Sequence, residues 1–379
     1  MLTEGNRMSE RKLGFGTMRL PLLESDDPTS IDLEQFKKMA DIFMERGFTY
    51  FDTAYPYHKE QSEEALREAV VRRFDRDRFT VADKMPVYKV KCSEDYETIF
   101  NEQLRRCGVE YFDYYLLHNL GRDRYPDTQK FGGFDFVMKK KAEGKIRKVG
   151  FSFHDTADVL EQILNDHPEV DFVQLQINYL DWDSLVAQSG KCYEVVKKHG
   201  KKVVVMEPVK GGTLAKLPEK AMEKFNAFYK DETVTPASLA IRFAASLDNV
   251  MMVLSGMSDL KQLENNTDYM QNFKPLSEEE YKLVEEITAI LKSTTKVPCT
   301  SCRYCLEVCP MNINMPGYFG LLNLYAVTGN KTGMYYQRYS MNHGKASDCL
   351  KCGQCEANCP QHIRIRDLLE EFAALYETE

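Results

Sequence analysis

The fold class this sequence predicts is α/β: a (β/α)8 TIM barrel followed by a small, mainly α-helical domain. Three observations lead there. Eight short β-rich runs alternate with longer helical stretches between residues 13 and 275. Each helical stretch is long enough to cross between parallel strands, and that many repeats suit a closed barrel better than an open doubly wound sheet. After residue 291 the composition shifts, and eight of the 11 cysteines lie beyond residue 298. The expected domains are therefore residues 1–291 for the barrel and 292–379 for the cysteine-rich part.

The strands, in order, are LGFGTM (13–18), TYFDTA (49–54), FTVADK (79–84), YFDYYLLH (111–118), KVGFS (148–152), FVQLQIN (172–178), KVVVME (202–207) and VMMVLSG (250–256). Each is short and rich in β-branched or aromatic residues. Between them, apolar residues three and four apart predict helices over 33–46, 63–73, 95–107, 134–143, 157–165, 185–199, 236–246 and 259–270. A further helix over 277–291 opens with Ser277 and Glu280, the Ser-x-x-Glu capping pattern. Residues 292–298 read as a linker. Between the cysteine runs, NMPGYFGLLNLYAVTGNKTGMYYQRYSMN is too long and too apolar for a plain loop, and predicts a helical insertion packed near the cysteines.

At 43% hydrophobic and 28% charged residues, the composition is that of a globular chain with ample core. A net charge of −8 argues against a nucleic-acid partner, which calls for a basic face. The opening MLTEGNRMSERK lacks the apolar centre of a signal peptide, and no run approaches a membrane span. Clustered thiols without a signal peptide predict a reducing, cytoplasmic setting and no membrane partner. Cys92, Cys107 and Cys192 stand singly and are read as bystanders.

The other cysteines repeat one spacing, C-x2-C-x2-C-x3-C-P. The first copy is Cys299, Cys302, Cys305 and Cys309 before Pro310; the second is Cys349, Cys352, Cys355 and Cys359 before Pro360. This is the bacterial two-cluster iron–sulfur spacing, in which the fourth cysteine of each run ligates the other cluster. The expectation is one [4Fe–4S] on Cys299, Cys302, Cys305 and Cys359, and another on Cys349, Cys352, Cys355 and Cys309, in a dicluster ferredoxin-like domain. Zinc would take two separated C-x2-C pairs closing one tetrahedron; a third close cysteine and the Cys-Pro ending, both repeated, do not fit it.

In such barrels chemistry is carried by side chains at the C-terminal ends of the strands. Those ends hold Asp52, Lys84 and His118, with Tyr57 five residues beyond Asp52. Each alone is common as an ion pair or packing residue; together at successive strand ends they are a constellation.

The segments FDTAYPYHKEQSEEAL, VADKMP and YYLLHN, with GFGTM (14–18) and GKIRKVGFS (144–152), resemble the aldo-keto reductase family over about residues 11–290. The resemblance implies a catalytic tetrad of Asp52, Tyr57, Lys84 and His118 and a nicotinamide cofactor, NADP(H) or NAD(H). Hydride delivery to a carbonyl builds charge on its oxygen. Tyr57 is then the general acid in reduction and the base in oxidation. Lys84 should lower the phenol's pKa, Asp52 should hold Lys84 charged, and His118 should orient the carbonyl oxygen. The resemblance further implies cofactor contacts from Ser152, Gln174, Met206, Lys210 and Gly211, and from Ser255, Gly256, Ser258, Gln262 and Asn266 at a helix N-terminus suited to phosphate. Phe153 replaces the family's usual asparagine, Met206 its stacking tyrosine, and Gly256 and Gln262 its usual basic pair, so the choice of NADPH or NADH stays open.

The reading is an oxidoreductase that reduces a carbonyl or oxidises an alcohol and passes electrons through two clusters. Its partners are a small-molecule carbonyl or alcohol substrate and a ferredoxin or flavoprotein. The alternative is an electron-transfer or redox-responsive binding protein whose barrel holds a cofactor but turns over little.

Overall fold

The computed structural model describes residues 11–184, 186–231, 233–293, 296–299, 304–359 and 361–378. Eight parallel strands close into a barrel in sequence order: β1 Leu13–Gly16, β2 Tyr50–Asp52, β3 Thr80–Met85, β4 Phe112–Leu120, β5 Ile146–Phe153, β6 Phe172–Gln176, β7 Lys202–Met206 and β8 Val250–Gly256. The ring is completed by β1 against β8, with Gly16 opposite Gly256.

The barrel helices are α1 Leu33–Glu45, α2 Ser62–Leu66, α3 Ser93–Cys107, α4 Tyr125–Lys130, α5 Gly133–Ala142, α6 Ala157–Asp166, α7 Ser189–Lys198, α8 Glu219–Phe228, α9 Pro236–Ser246, α10 Leu260–Gln271 and α11 Glu278–Lys292. Ser277 caps α11 reciprocally with Glu280, as the sequence pattern predicts. Then come α12 Tyr304–Glu307, α13 Met315–Thr328, α14 Gly333–Ser340, α15 Gln354–Ala357 and α16 Ile365–Tyr376. The insertion between the cysteine runs is indeed helical, as α13 and α14. Among the described residues no helix is long and apolar enough to cross a membrane.

Two expected helices change shape. The 63–73 stretch is α2 followed by a wide π turn over Arg67–Val71. The 185–199 stretch becomes helical only at Ser189, because Gln188 takes a left-handed φ of 48° and the preceding turn folds on itself, with the Asp181 N–H bonded to Asn178 Oδ1 at 2.9 Å; Leu185 is outside the described residues. Helices α4 and α8 lie in the connections after β4 and β7 and are additions to the expected set.

The barrel interior decides where the site lies. Tyr50, Ala82, Leu116, Phe172, Val204, Met252 and Leu254 form one buried cluster inside the ring, joined by Tyr114. Tyr114 bridges it, 5.1 Å from Tyr50 and 5.4 Å from Phe172 between ring centroids. Alternate residues of a strand face the same way. One interior step beyond this plug are Asp52, Lys84, His118, Gln174, Met206 and Gly256, all facing the C-terminal mouth.

A second apolar core holds Val297, Ile313, Met315, Tyr318, Phe319, Tyr335, Leu369 and Phe372. Tyr318 stacks on Phe372 at 4.8 Å, and Phe372 on Tyr376 at 4.5 Å, which binds α13 to α16. Val186, a barrel residue, is buried in this second core.

Candidate active site

Lys84 organises the mouth. An ammonium has three N–H bonds to donate, and all three find acceptors: Asp52 Oδ1 at 2.5 Å, the Thr53 carbonyl at 2.7 Å and the Tyr57 hydroxyl at 3.4 Å. Lys84 and Asp52 are only 1% and 3% exposed. Burial pushes the Lys84 ammonium down, but the charges of Asp52 and Tyr57 lift it above the usual lysine range. Burial raises the Asp52 carboxyl, and Lys84 opposes that rise.

Tyr57 lies in the loop after β2, partly exposed, with the Lys84 ammonium 4.9 Å from its ring centre. Its loop is pinned by three successive residues in the left-handed region, His58, Lys59 and Glu60, with φ of 52°, 50° and 72°. The His58 ring bridges two further chain segments: Nε2 accepts the Leu20 N–H at 3.2 Å and Nδ1 donates to the Pro28 carbonyl at 2.8 Å. Ser62 locks the base of the loop through Thr17 at 2.7 Å and Thr53 at 3.0 Å. Backbone strain of this kind gathers at functional loops. Lys84 lowers the Tyr57 pKa as expected, but the net result is a correction. Burial raises it, and Lys84, though it pulls the other way, offsets this only in part.

His118 sits in a bulge of β4. The β4–β5 register shifts between Leu117 and Leu120, and Asn119 takes a φ of 60°. The freed Asn119 N–H donates to Ser152 Oγ at 2.7 Å. The bulge turns His118 toward Tyr57, their ring centroids 6.2 Å apart. Burial, with Lys84 and His154 nearby, holds the His118 imidazole well below the usual histidine range, so it is neutral. Its Nδ1 is buried without a partner, and so is Gln174 Oε1 on β6. Gln174 lies level with Ser152 across the β5–β6 pair. Unpartnered buried polar atoms converging on a mouth suit a bound polar ligand.

The remaining expected cofactor residues divide in two. Gly211, Ser255, Gly256, Ser258, Gln262 and Asn266 all line one open cleft of 1370 Å³ between the ends of β7 and β8 and helices α9 and α10. Met206 ends β7 and is partly exposed. Lys210 is committed elsewhere: its ammonium bonds both oxygens of buried Asp181, at 2.6 and 2.7 Å. At the α10 N-terminus the cap is Asp259, which accepts the Gln262 N–H at 2.8 Å, while Gln262 Oε1 accepts the Ser258 N–H at 3.0 Å. An acidic cap competes with a phosphate for that helix end.

Arg19, which the sequence did not single out, supplies positive charge to the cleft. It lines it from the turn after β1, facing Glu207 at 4.0 Å, with its side chain 50% exposed. Its stem packs against Gly256, where a Cβ would lie 3.2 Å away. Its place directly after the GFGTM strand end was the available signal.

Cys309 lies with the second cysteine run. One enclosed cavity is lined by Cys309 together with Cys349, Cys352 and Cys355, and by Arg366. The Ile313 N–H points at Cys309 Sγ and the Lys351 N–H at Cys349 Sγ, each at 3.4 Å. Cys299, Cys305 and Cys359 also pack at the second core, as do Cys309, Cys349 and Cys355; Cys302 is outside the described residues.

The family model described as "Aldo/keto reductase family" matches residues 12–289, and one for a "4Fe-4S dicluster domain" matches residues 298–363. An aldo-keto reductase of Mycolicibacterium vanbaalenii is 26% identical over 227 residues, 59% of this chain and 74% of that protein. The fold is shared with an aldo-keto reductase of Bacillus halodurans in its holo form, at TM-score 0.58 and 22% identity over 73% of this chain and 91% of that one. It is likewise shared with an aldo-keto reductase of Klebsiella pneumoniae in complex with NADPH, at TM-score 0.58 and 20% identity over 76% and 96%.

The buried pair makes a testable demand. Asp52→Asn leaves the Lys84 ammonium buried without its counter-charge, a loss of about 3–5 kcal/mol for a broken buried pair. In the wild type Lys84 is raised, so its contribution holds through neutral pH and is lost only as pH rises past that raised value. In the variant burial acts unopposed by Asp52 and depresses the group, so stability recovers as pH rises toward about 10.4, the unfolded lysine value. Apparent thermal midpoints should therefore fall most at neutral pH, with the gap to wild type narrowing in alkali.

Proposed function

Because the chain belongs to the aldo/keto reductase family and carries a 4Fe-4S dicluster domain, we propose that this oxidoreductase interconverts a small-molecule carbonyl and its alcohol. In this reading NADP(H) or NAD(H) binds in the barrel, and two [4Fe–4S] clusters bind in the C-terminal part. The observation that carries it is the use of the Lys84 N–H bonds. Tyr57 accepts from Lys84 at 3.4 Å, so its own proton is free to point into the mouth.

When bound, the nicotinamide supplies or takes a hydride, and the clusters carry single electrons. Tyr57 gives its proton to the carbonyl oxygen in reduction and takes it back in oxidation. Lys84, kept charged by Asp52, steadies the phenolate left behind. The neutral His118 ring donates to the same oxygen and fixes its direction. Ser152, Gln174 and Met206 hold the nicotinamide end. Gly211, Ser255, Gly256, Ser258, Gln262, Asn266 and Arg19 hold the phosphates and adenosine, in the cleft they line together. The NADPH bound to the Klebsiella pneumoniae neighbour supports a nicotinamide nucleotide here.

For the clusters, four thiols around one cavity, with N–H groups aimed at two sulfurs, are a donor set suited to thiolate-held iron. Cys309 completes the set of Cys349, Cys352 and Cys355; Cys359 completes that of Cys299, Cys302 and Cys305. Cys352 is exposed and its neighbour Leu350 is 64% exposed, so a ferredoxin or flavoprotein can approach one cluster edge.

Tyr57→Phe should lower carbonyl turnover by about 10²–10⁴-fold, the worth of a positioned general acid. Nucleotide affinity and iron content should not change. The reading fails if the variant turns over like wild type. The pH profile of reduction should be flat from about pH 6 to about pH 9, because the raised Tyr57 stays protonated and the depressed His118 stays neutral across that range. An acid limb near neutrality that vanished in His118→Asn would contradict this. Cys309→Ser should remove the cluster of the second cysteine run in EPR of the reduced protein and spare the other, and the reverse pattern would overturn the crossed ligation.

A further inference from the structure

Arg338 is the largest of the fully buried side chains, 2% exposed, yet it belongs to α14, in the insertion between the two cysteine runs. All of its visible partners are on the barrel. Nε donates to Asp123 Oδ1 at 3.0 Å, and Nη2 to the Asn119 carbonyl at 3.2 Å and Asn119 Oδ1 at 2.8 Å; Nη1 donates to the His154 carbonyl. The guanidinium lies over Gly121, where a Cβ would come within 2.8 Å of Cζ. One turn away on α14, Met334 Sδ accepts from Asn119 Nδ2 at 3.2 Å. Tyr335 reaches across to Gln176 Oε1 at the end of β6, at 3.5 Å.

These contacts converge on the bulge that aims His118. Asn119 is the residue after His118 and has no ladder partner, and its N–H is already given to Ser152 Oγ. Its carbonyl and side chain are held by α14 alone or with Arg124, which donates to the same carbonyl at 3.4 Å. The planar guanidinium spreads its donors over Asn119, Asp123 and His154 at once, so the bulge residue is tied to two neighbouring chain segments.

We propose that Arg338 is a positioning residue for the barrel's chemistry: it fixes the β4 bulge through Asn119 and so sets the direction of His118, making the cysteine domain part of the active-site wall. The turnover part of its test rests on the carbonyl reading above; the spectroscopic part does not.

The test uses the full chain reconstituted with iron and sulfide, histidine-selective NMR with the His118 signal assigned from His118→Asn, and turnover of 4-nitrobenzaldehyde with NADPH. Arg338→Ala should move the His118 ring signal and lower kcat on the order of 10–100-fold, the usual effect of an ångström-scale misplacement. KM for NADPH and iron content should hold, and added guanidinium ion should restore part of the loss. Gly121→Ala, which keeps Arg338 but displaces its head, should act the same way and carries the test should Arg338→Ala fold poorly. A His118 signal unmoved in the folded variants, with kcat like wild type, overturns the proposal. Should the wild type reduce no carbonyl, the function proposed above fails, while the His118 signal still decides this one: moved supports it, unmoved overturns it.

Discussion

A closed parallel barrel allows each strand only one face toward its axis, and in this chain that constraint places every group at the mouth. Tyr50, Ala82, Leu116, Phe172, Val204 and Leu254 fill the interior. Two residues further along each strand, the next inward side chain has no apolar layer left to join. The register, Asp52 level with Ala82 and Lys84 with Leu116, staggers those side chains around the ring. A slip of one residue in β3 would turn Lys84 outward and bring Asp83 in. Asp83 shows what the outer face demands: it is wholly buried beside Glu63, and burial with that second carboxyl raises it well above the usual range.

The same constraint makes the electrostatics stringent. A lysine facing a plugged barrel has no solvent to turn to, so it is tolerable only with each N–H accepted. Asp52 and the Thr53 carbonyl take two, and the third falls on Tyr57, whose loop is held in place by His58 and Ser62. A requirement of folding, the satisfaction of a buried cation, thereby fixes a phenol at the mouth. Burial wins over the ammonium in setting that phenol's pKa, so in this state Tyr57 stays a neutral phenol.

Patterns carried by short-range periodicity were legible in the sequence. The eight strands, their parallel crossovers and the helical insertion follow from alternation and spacing, and Asp52, Lys84 and His118 follow from standing at strand ends. Cys309 lines one cavity with Cys349, Cys352 and Cys355, a neighbourhood that the repeated cysteine spacing suggests. What could not be read depends on which of several partners a charge takes. Lys210 is drawn to Asp181 rather than left free in the cleft, and Asp259 rather than Ser258 caps α10. Arg19 enters the cleft beside Gly256, packing its stem where a Cβ would crowd it. The π turn after α2 and the late start of α7 arise from backbone choices at single residues, such as Gln188, that no periodic signal carries.

The mouth is divided between two sources of chain. Its β7–β8 side, with Arg19 and Gly256, stays open as a long cleft. Its β4–β6 side is covered by α14, through Met334, Tyr335 and Arg338. Lifting α14 would remove a charged donor from the Asp123 carboxylate and from the Asn119 and His154 carbonyls, with Arg124 left beside Asp123 and Asn119. It would also pull Val186 from the second core. The helix that does this work is tied at both ends to cysteine runs, so whatever fixes those runs fixes it too. The barrel mouth and the cysteine domain therefore share one packed and hydrogen-bonded boundary, and Asn119, the residue after His118, is held from that boundary.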